Sequence, residues 1–86
     1  VEVVAVGFYV YVLKSKTYGC FYVGSTGNLE QRIEQHNLGL ARYTKGRRPW
    51  QLVYKEEYNT RSEATKREKF LKSGQGREFI KVTLQK

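Results

Sequence analysis

Glu68 stands where a carboxylate is hard to accommodate. On a helical projection it falls between Ala64 and Leu71, beside an apolar stripe. A carboxylate there is costly unless it is paired or holds a cation. Arg67 and Arg32 are the candidate ion-pair partners, and a bound cation is the alternative. The other acids have simpler roles: Glu63 caps a helix, while Glu30, Glu34, Glu56 and Glu57 can sit in solvent. The chain also holds seven tyrosines and one histidine, His36. A tyrosine with a free pKa of about 10 acts as a base only beside a cation or an acceptor network. Without such neighbours, strand tyrosines are core residues with a bonded hydroxyl, and His36 is a packing residue.

These residues need elements to bring them together. Phe8, Val10 and Val12 alternate with Tyr9, Tyr11 and Leu13, the period of a strand. A polar turn and the run Cys20-Phe-Tyr-Val-Gly24 complete a hairpin. In one register Tyr9, Tyr11 and Tyr22 share a sheet face, and a slip of one residue would separate them. Asn28 is the expected N-cap of a helix with Leu29, Ile33, His36 and Leu40 as its stripe, ended by Gly39. Arg32 lies four residues before His36, so their side chains are neighbours. Trp50–Tyr58 reads as a third strand with Leu52, Tyr54 and Tyr58 on one face. Thr60-Arg-Ser-Glu63 has the form of a capping box for a second helix with Ala64, Phe70 and Leu71 inward. Gly74-Gln-Gly76 should end it, before a short helix carrying Phe79, Ile80 and Leu84. The order is ββαβαα.

Composition narrows the classes of function. Eighty-six residues suit one domain, with a core of about 8–81 and residues 1–6 as an N-terminal extension. One cysteine and one histidine exclude a disulfide framework and a zinc finger, which fits a reduced, cytoplasmic protein. The apolar run Val3–Leu13 is too short to cross a bilayer and lacks the basic start of a signal peptide, so no membrane association is expected. Sixteen Lys and Arg against eight Glu give a net charge of +8, which favours a polyanionic partner. The densest basic segment is a loop carrying Arg42, Lys45, Arg47 and Arg48, the expected nucleic-acid contacts.

The pair Tyr9-Val10-Tyr11 and Tyr22-Val23-Gly24, separated by ten residues, resembles the signature of the GIY-YIG nuclease superfamily. The resemblance runs from about Phe8 to Lys81. Thr44-Lys-Gly-Arg-Arg-Pro-Trp50 and Arg67-Glu-Lys-Phe-Leu-Lys72 look like its small, stand-alone bacterial branch. It implies an α+β fold, a three-stranded antiparallel sheet flanked by helices. It also implies an endonuclease using one Mg²⁺ or Mn²⁺ to hydrolyse DNA phosphodiester bonds, structure-specific and serving repair or nucleic-acid turnover. By position, Glu68 would hold the metal and Arg32 would contact the scissile phosphate. Tyr11 and Tyr22 would position or deprotonate water, with His36 in support. A cation near a phenol lowers its pKa, which suits that assignment.

Tyr9 replaces the family's first glycine, and Val replaces Ile in both tripeptides. Ser25 stands where some relatives have a lysine, which removes one proton acceptor or phosphate contact. RNA is an alternative substrate, and specificity would be weak, structural, or supplied by a protein partner. The competing reading is a non-catalytic nucleic-acid-binding domain of the same fold.

Overall fold

The computed structural model describes residues 7–84; the expected extension at residues 1–6 lies outside them. Three strands, β1 (Phe8–Ser15), β2 (Phe21–Thr26) and β3 (Trp50–Tyr58), form an antiparallel sheet in the order β2-β1-β3. The helices are α1 (Leu29–Asn37), α2 (Arg61–Lys72) and α3 (Gly74–Thr83), with a 3₁₀ turn at Lys45–Arg47. The order is the ββαβαα expected of an α+β fold.

β1 is the centre of the sheet, and Val10, Tyr11, Val12 and Leu13 are all buried. Both faces are covered, so this strand is apolar without a break. Val10, Val12 and Val23 pack with Ala64, Leu71 and Ile80 of α2 and α3. Tyr11, Leu13 and Trp50 pack on the other face with Tyr22, Leu29, Ile33 and Leu52. Each fully buried aliphatic side chain contributes roughly 1.5–3 kcal/mol.

Hairpin register decides which residues meet. Leu13 pairs with Tyr22 and Tyr11 with Gly24, so Tyr11 and Tyr22 share a face, as the favourable register requires. The Tyr11 ring lies across Gly24, where a Cβ would sit 2.5 Å from the phenol oxygen. Glycine at this point is therefore needed for close approach.

Both expected N-caps form: Asn28 Oδ1 accepts from Gln31 N–H at 3.1 Å and Thr60 Oγ1 from Glu63 N–H at 3.2 Å.

Four expectations are corrected. Val12 pairs with Tyr54 but Leu13 with Leu52, so a bulge at Val53 sends Leu52 to the α1 face and leaves Tyr54 and Tyr58 on the other. Leu40 lies beyond the end of α1, after Gly39 at φ +81°, and is 70% exposed rather than part of the stripe. Phe70 is also exposed, with the Arg67 guanidinium over its ring at 4.9 Å. Finally, Gly74–Gly76 is the first turn of α3: Ser73 Oγ accepts from Gly76 N–H at 3.2 Å, which lets two helices abut without a linker. A side chain at Gly76 would collide with the backbone of Phe70 and Leu71.

The basic loop is charged outside and anchored inside. Trp50 Nε1 donates to Thr44 O at 2.9 Å, Ser15 Oγ to Arg47 O at 2.7 Å, and Asn37 Nδ2 to Trp50 O at 3.1 Å. Thr44 and Ser15 are buried.

Candidate active site

Five side chains named from the sequence come together: Tyr11 from β1, Tyr22 from β2, Arg32 and His36 from α1, and Glu68 from α2. Tyr11 and Tyr22 have ring centroids 6.4 Å apart, and His36 lies 5.8 and 5.1 Å from them. Ser25 pairs with Val10 on the opposite face and meets α2 there. The cluster thus wraps the β2 edge of the sheet.

A buried hydrogen-bond chain runs through His36. Tyr11 Oη lies 2.9 Å from His36 Nε2, and His36 Nδ1 lies 2.7 Å from Thr44 Oγ1. Burial, reinforced by the charge of Arg32, lowers the His36 pKa to about 4. The ring is therefore neutral at pH 7, with one donor and one acceptor. In one tautomer, Thr44 gives its hydroxyl proton to Ala41 O at 3.3 Å and its oxygen accepts from His36 Nδ1–H. Nε2 is then the acceptor for the Tyr11 hydroxyl. In the other, Thr44 donates to Nδ1 and Nε2–H to Tyr11 Oη, the Ala41 carbonyl being met by the Thr44 and Lys45 N–H groups.

The Tyr11 pKa departs from expectation. Burial pushes it up to about 12, and the Arg32 guanidinium beside it offsets only part of that rise. A neighbouring cation does not make this phenol acidic, because desolvation of the phenolate is the larger effect. Arg32 itself donates to Gln35 Oε1 at 3.0 Å.

Glu68 is half-buried, and neither expected arginine is its partner. Ser25 Oγ donates to its Oε1 at 2.5 Å and Lys72 Nζ to its Oε2 at 2.8 Å. Burial would raise the carboxyl pKa, but the hydrogen bonds from Lys72 and Ser25 hold it below its usual value, so it is ionised at neutral pH. Lys72 also stands 5.8 Å from the centre of the Tyr22 ring. Sequence reasoning missed Lys72, although its spacing of four from Glu68 was a usable sign. It also missed Thr44, whose role depends on the fold of the basic loop.

Arg67 pairs instead with Glu56, through Nε at 2.8 Å and a second nitrogen at 3.0 Å. Tyr54 and Tyr58 donate to the same carboxylate at 2.5 and 2.7 Å. Glu56 was expected in solvent; strand alternation instead puts it between Tyr54 and Tyr58 on the face beneath α2.

In the basic loop, Arg42 and Arg47 line a groove with Tyr43 and Trp50. Arg48 Nε turns back to Lys45 O at 2.8 Å, while Lys45 is exposed.

Known proteins share this arrangement of elements. A family model described as the GIY-YIG catalytic domain matches residues 7–79. The UPF0213 protein SSP2268 of Staphylococcus saprophyticus is 45% identical over 75 residues, covering 86% of this chain and 90% of that protein. The UPF0213 protein CPE1444 of Clostridium perfringens is 49% identical over 65 residues, covering 74% and 69%. The solution NMR structure of the UPF0213 protein BH0048 from Bacillus halodurans is similar with a TM-score of 0.54 at 35% identity, covering 92% of this chain and 85% of that one.

Proposed function

The chain belongs to the GIY-YIG catalytic-domain family, and from that membership we propose that it is a metal-dependent endonuclease hydrolysing DNA phosphodiester bonds. The observation that carries the reading is the convergence of Tyr11, Tyr22, Arg32, His36 and Glu68 from four elements onto one edge of a strongly basic chain.

Glu68 suits a hard divalent ion that keeps most of its water. Among the described residues no group of three His, Cys, Asp or Glu side chains could hold a metal by itself. That excludes a closed protein cage there and fits Mg²⁺ or Mn²⁺ held by one carboxylate together with substrate oxygens. When bound, the ion supplies Lewis-acid charge toward the phosphate. Lys72 and Ser25 occupy both Glu68 oxygens and would yield one or both to it.

The remaining work falls to the chain's own groups. The Arg32 guanidinium offers a planar fork that matches phosphate oxygens. Tyr11, with a pKa of about 12, is a poor base alone, but its oxygen lies 2.9 Å from His36 Nε2, which is an acceptor in the first tautomer. It can take a proton from the attacking water while passing its own to His36 Nε2. Phosphate neutralising Arg32 would remove one of the two influences that keep His36 weakly basic. Tyr22 flanks this path and holds the water in line. Arg42, Lys45 and Arg47 offer longer-range phosphate attraction, while Arg48 mainly braces the loop. The reading extends to structure-specific cleavage in repair or turnover in the cytoplasm, with sequence choice supplied by a partner.

The engagement of both Glu68 oxygens favours a second reading, a nucleic-acid-binding module without turnover. Its binding would weaken steeply with salt and be nearly blind to sequence.

Cleavage of labelled single-stranded, duplex and branched DNA with Mg²⁺, Mn²⁺ or EDTA separates the two. Metal-dependent product is expected from the wild type and at least about 100-fold less from Glu68→Ala, with folding and DNA binding retained. Equal cleavage by both would overturn the role of Glu68. Binding without cleavage of any substrate would favour the module.

A further inference from the structure

Two grooves of about 850 and 770 Å³ meet at Phe21 and Tyr43 along the outer edge of β2. The first is bounded by Tyr18 and Trp50 with Arg42 and Arg47. The second ends at Tyr22, has an apolar floor of Val23, Leu71 and Ile80, and is rimmed by Lys72, Arg77 and Lys81. No acidic side chain lines either groove among the described residues.

The aromatic rings here are on the outside. Tyr18 is 66% exposed, Phe21 41% and Tyr43 69%, while Tyr11 and Trp50 are buried. Cations lie beside them: Arg47 stands 5.9 Å from the Tyr43 ring centre and Lys14 5.9 Å from that of Phe21. Tyr43 leans on Tyr22 at 5.6 Å, which joins the track to the candidate active site.

Exposed rings alternating with cations are of little use to a duplex, whose bases already stack on one another. They suit a single strand, which offers free base faces and phosphates along one path. The missing carboxylates disfavour a basic peptide, and the uneven, charged rim disfavours a flat apolar partner.

We infer that the β2 edge is a binding track for unpaired nucleotides, stacking bases on Phe21 and Tyr43 while Arg42, Arg47, Arg77 and Lys81 hold phosphates. It leads an unpaired segment to Tyr11 and Glu68. This deepens the nuclease reading by naming single-stranded segments as the substrate class, and it rests on that reading only for the cleavage of a strand already bound.

Binding is tested in EDTA at one fixed salt concentration, with dT15, U15 and a duplex of the same length. Phe21→Leu combined with Tyr43→Leu keeps apolar bulk and removes the rings. At least about a tenfold loss is expected on both single strands, with duplex affinity within about twofold. Wild type should quench a 2-aminopurine placed in the strand, and the double variant should not. Tyr43→Trp should restore binding in the Phe21→Leu background. Equal losses on single strand and duplex, no loss at all, or a loss confined to dT15 or to U15 would overturn the inference. Cleavage is assayed separately: ring-dependent binding without cleavage would remove the nuclease alone, and cleavage with ring-independent binding would remove the track alone.

Discussion

Arg67 and Glu68 are adjacent in α2, yet they belong to two clusters of the same composition at opposite edges of the sheet. Each cluster holds two tyrosines, an arginine and a glutamate. At the β3 edge, Tyr54, Tyr58 and Arg67 direct four donors at the two oxygens of Glu56. Both carboxylate oxygens are met twice inside the cluster, so Glu56 has nothing left to offer a ligand. At the β2 edge the carboxylate is instead bound by Ser25 and an exposed lysine, and the Tyr11 hydroxyl is hydrogen-bonded to a neutral histidine. The difference teaches that residue types alone do not make a site. Here the Tyr11 hydroxyl is met by His36 and the Glu68 carboxylate by Ser25 and Lys72, so tyrosine and carboxylate are not locked to each other.

The largest expected effect breaks this comparison at the tyrosines. Tyr11→Phe removes the hydroxyl bonded to His36 and should lower cleavage by about 10²–10⁴-fold, the usual range for a positioned acid or base. Tyr58→Phe should leave cleavage unchanged and cost about 1 kcal/mol of stability. Steady-state cleavage and urea denaturation on both variants provide the measurement, and equal loss of activity would erase the distinction. The same chain predicts a pH signature. His36 is the only histidine, so its imidazole NMR signal should titrate near pH 4 instead of 6.5. Because its folded pKa is depressed, the unfolded chain takes up the proton first, and stability falls as pH drops from about 6.5 toward 4. A midpoint near 6.5 would mean that His36 is not the buried acceptor.

These two clusters were not equally legible in the sequence. Tyr11, Tyr22, Arg32, His36 and Glu68 could be picked out because strand alternation, helix spacing and a resemblance all pointed to them. The caps at Asn28 and Thr60 were legible too, since each acts within one turn of chain. The β3 cluster was legible only in part: alternation puts Tyr54, Glu56 and Tyr58 on one face, but their meeting with Arg67 depends on α2 packing on the sheet. The bulge at Val53 was hidden for a related reason: a strand pattern shows a period but not the partner strand's register. Thr44 matters through tertiary neighbours, and local periodicity carries no trace of those, whereas Lys72 was legible from its spacing of four from Glu68.

A middle-sized effect tests the closed cluster. Glu56→Gln places an amide where four donors converge and should cost about 2 kcal/mol in urea denaturation, with cleavage per folded molecule unchanged. Burial of Glu56 opposes ionisation, but the bonds from Arg67, Tyr54 and Tyr58 outweigh it and hold the carboxyl below 4.5. A depressed carboxyl pKa gives stability that is complete above the unfolded value and is lost as pH falls through the folded one. The Gln variant should therefore lose that acid-sensitive limb while keeping the one due to His36. A variant as stable as wild type would mean that the four contacts only balance desolvation.

The smallest effect on stability is expected at Lys72, and it sharpens the contrast most. Its ion pair with Glu68 joins residues one helical turn apart, and the lysine side chain is 49% exposed. Solvent screens such a pair, so Lys72→Ala should change stability by less than about 0.5 kcal/mol. Arg67 and Glu56 differ in geometry rather than formal charge: two parallel bonds fix the guanidinium where a single flexible ammonium is free to leave. If Lys72 is the mobile cation of the β2 edge, its removal should lower cleavage about tenfold while the denaturation curve barely moves. A large loss of stability with normal cleavage would make Glu68–Lys72 a structural latch like its counterpart, and the two edges of the sheet would then be alike.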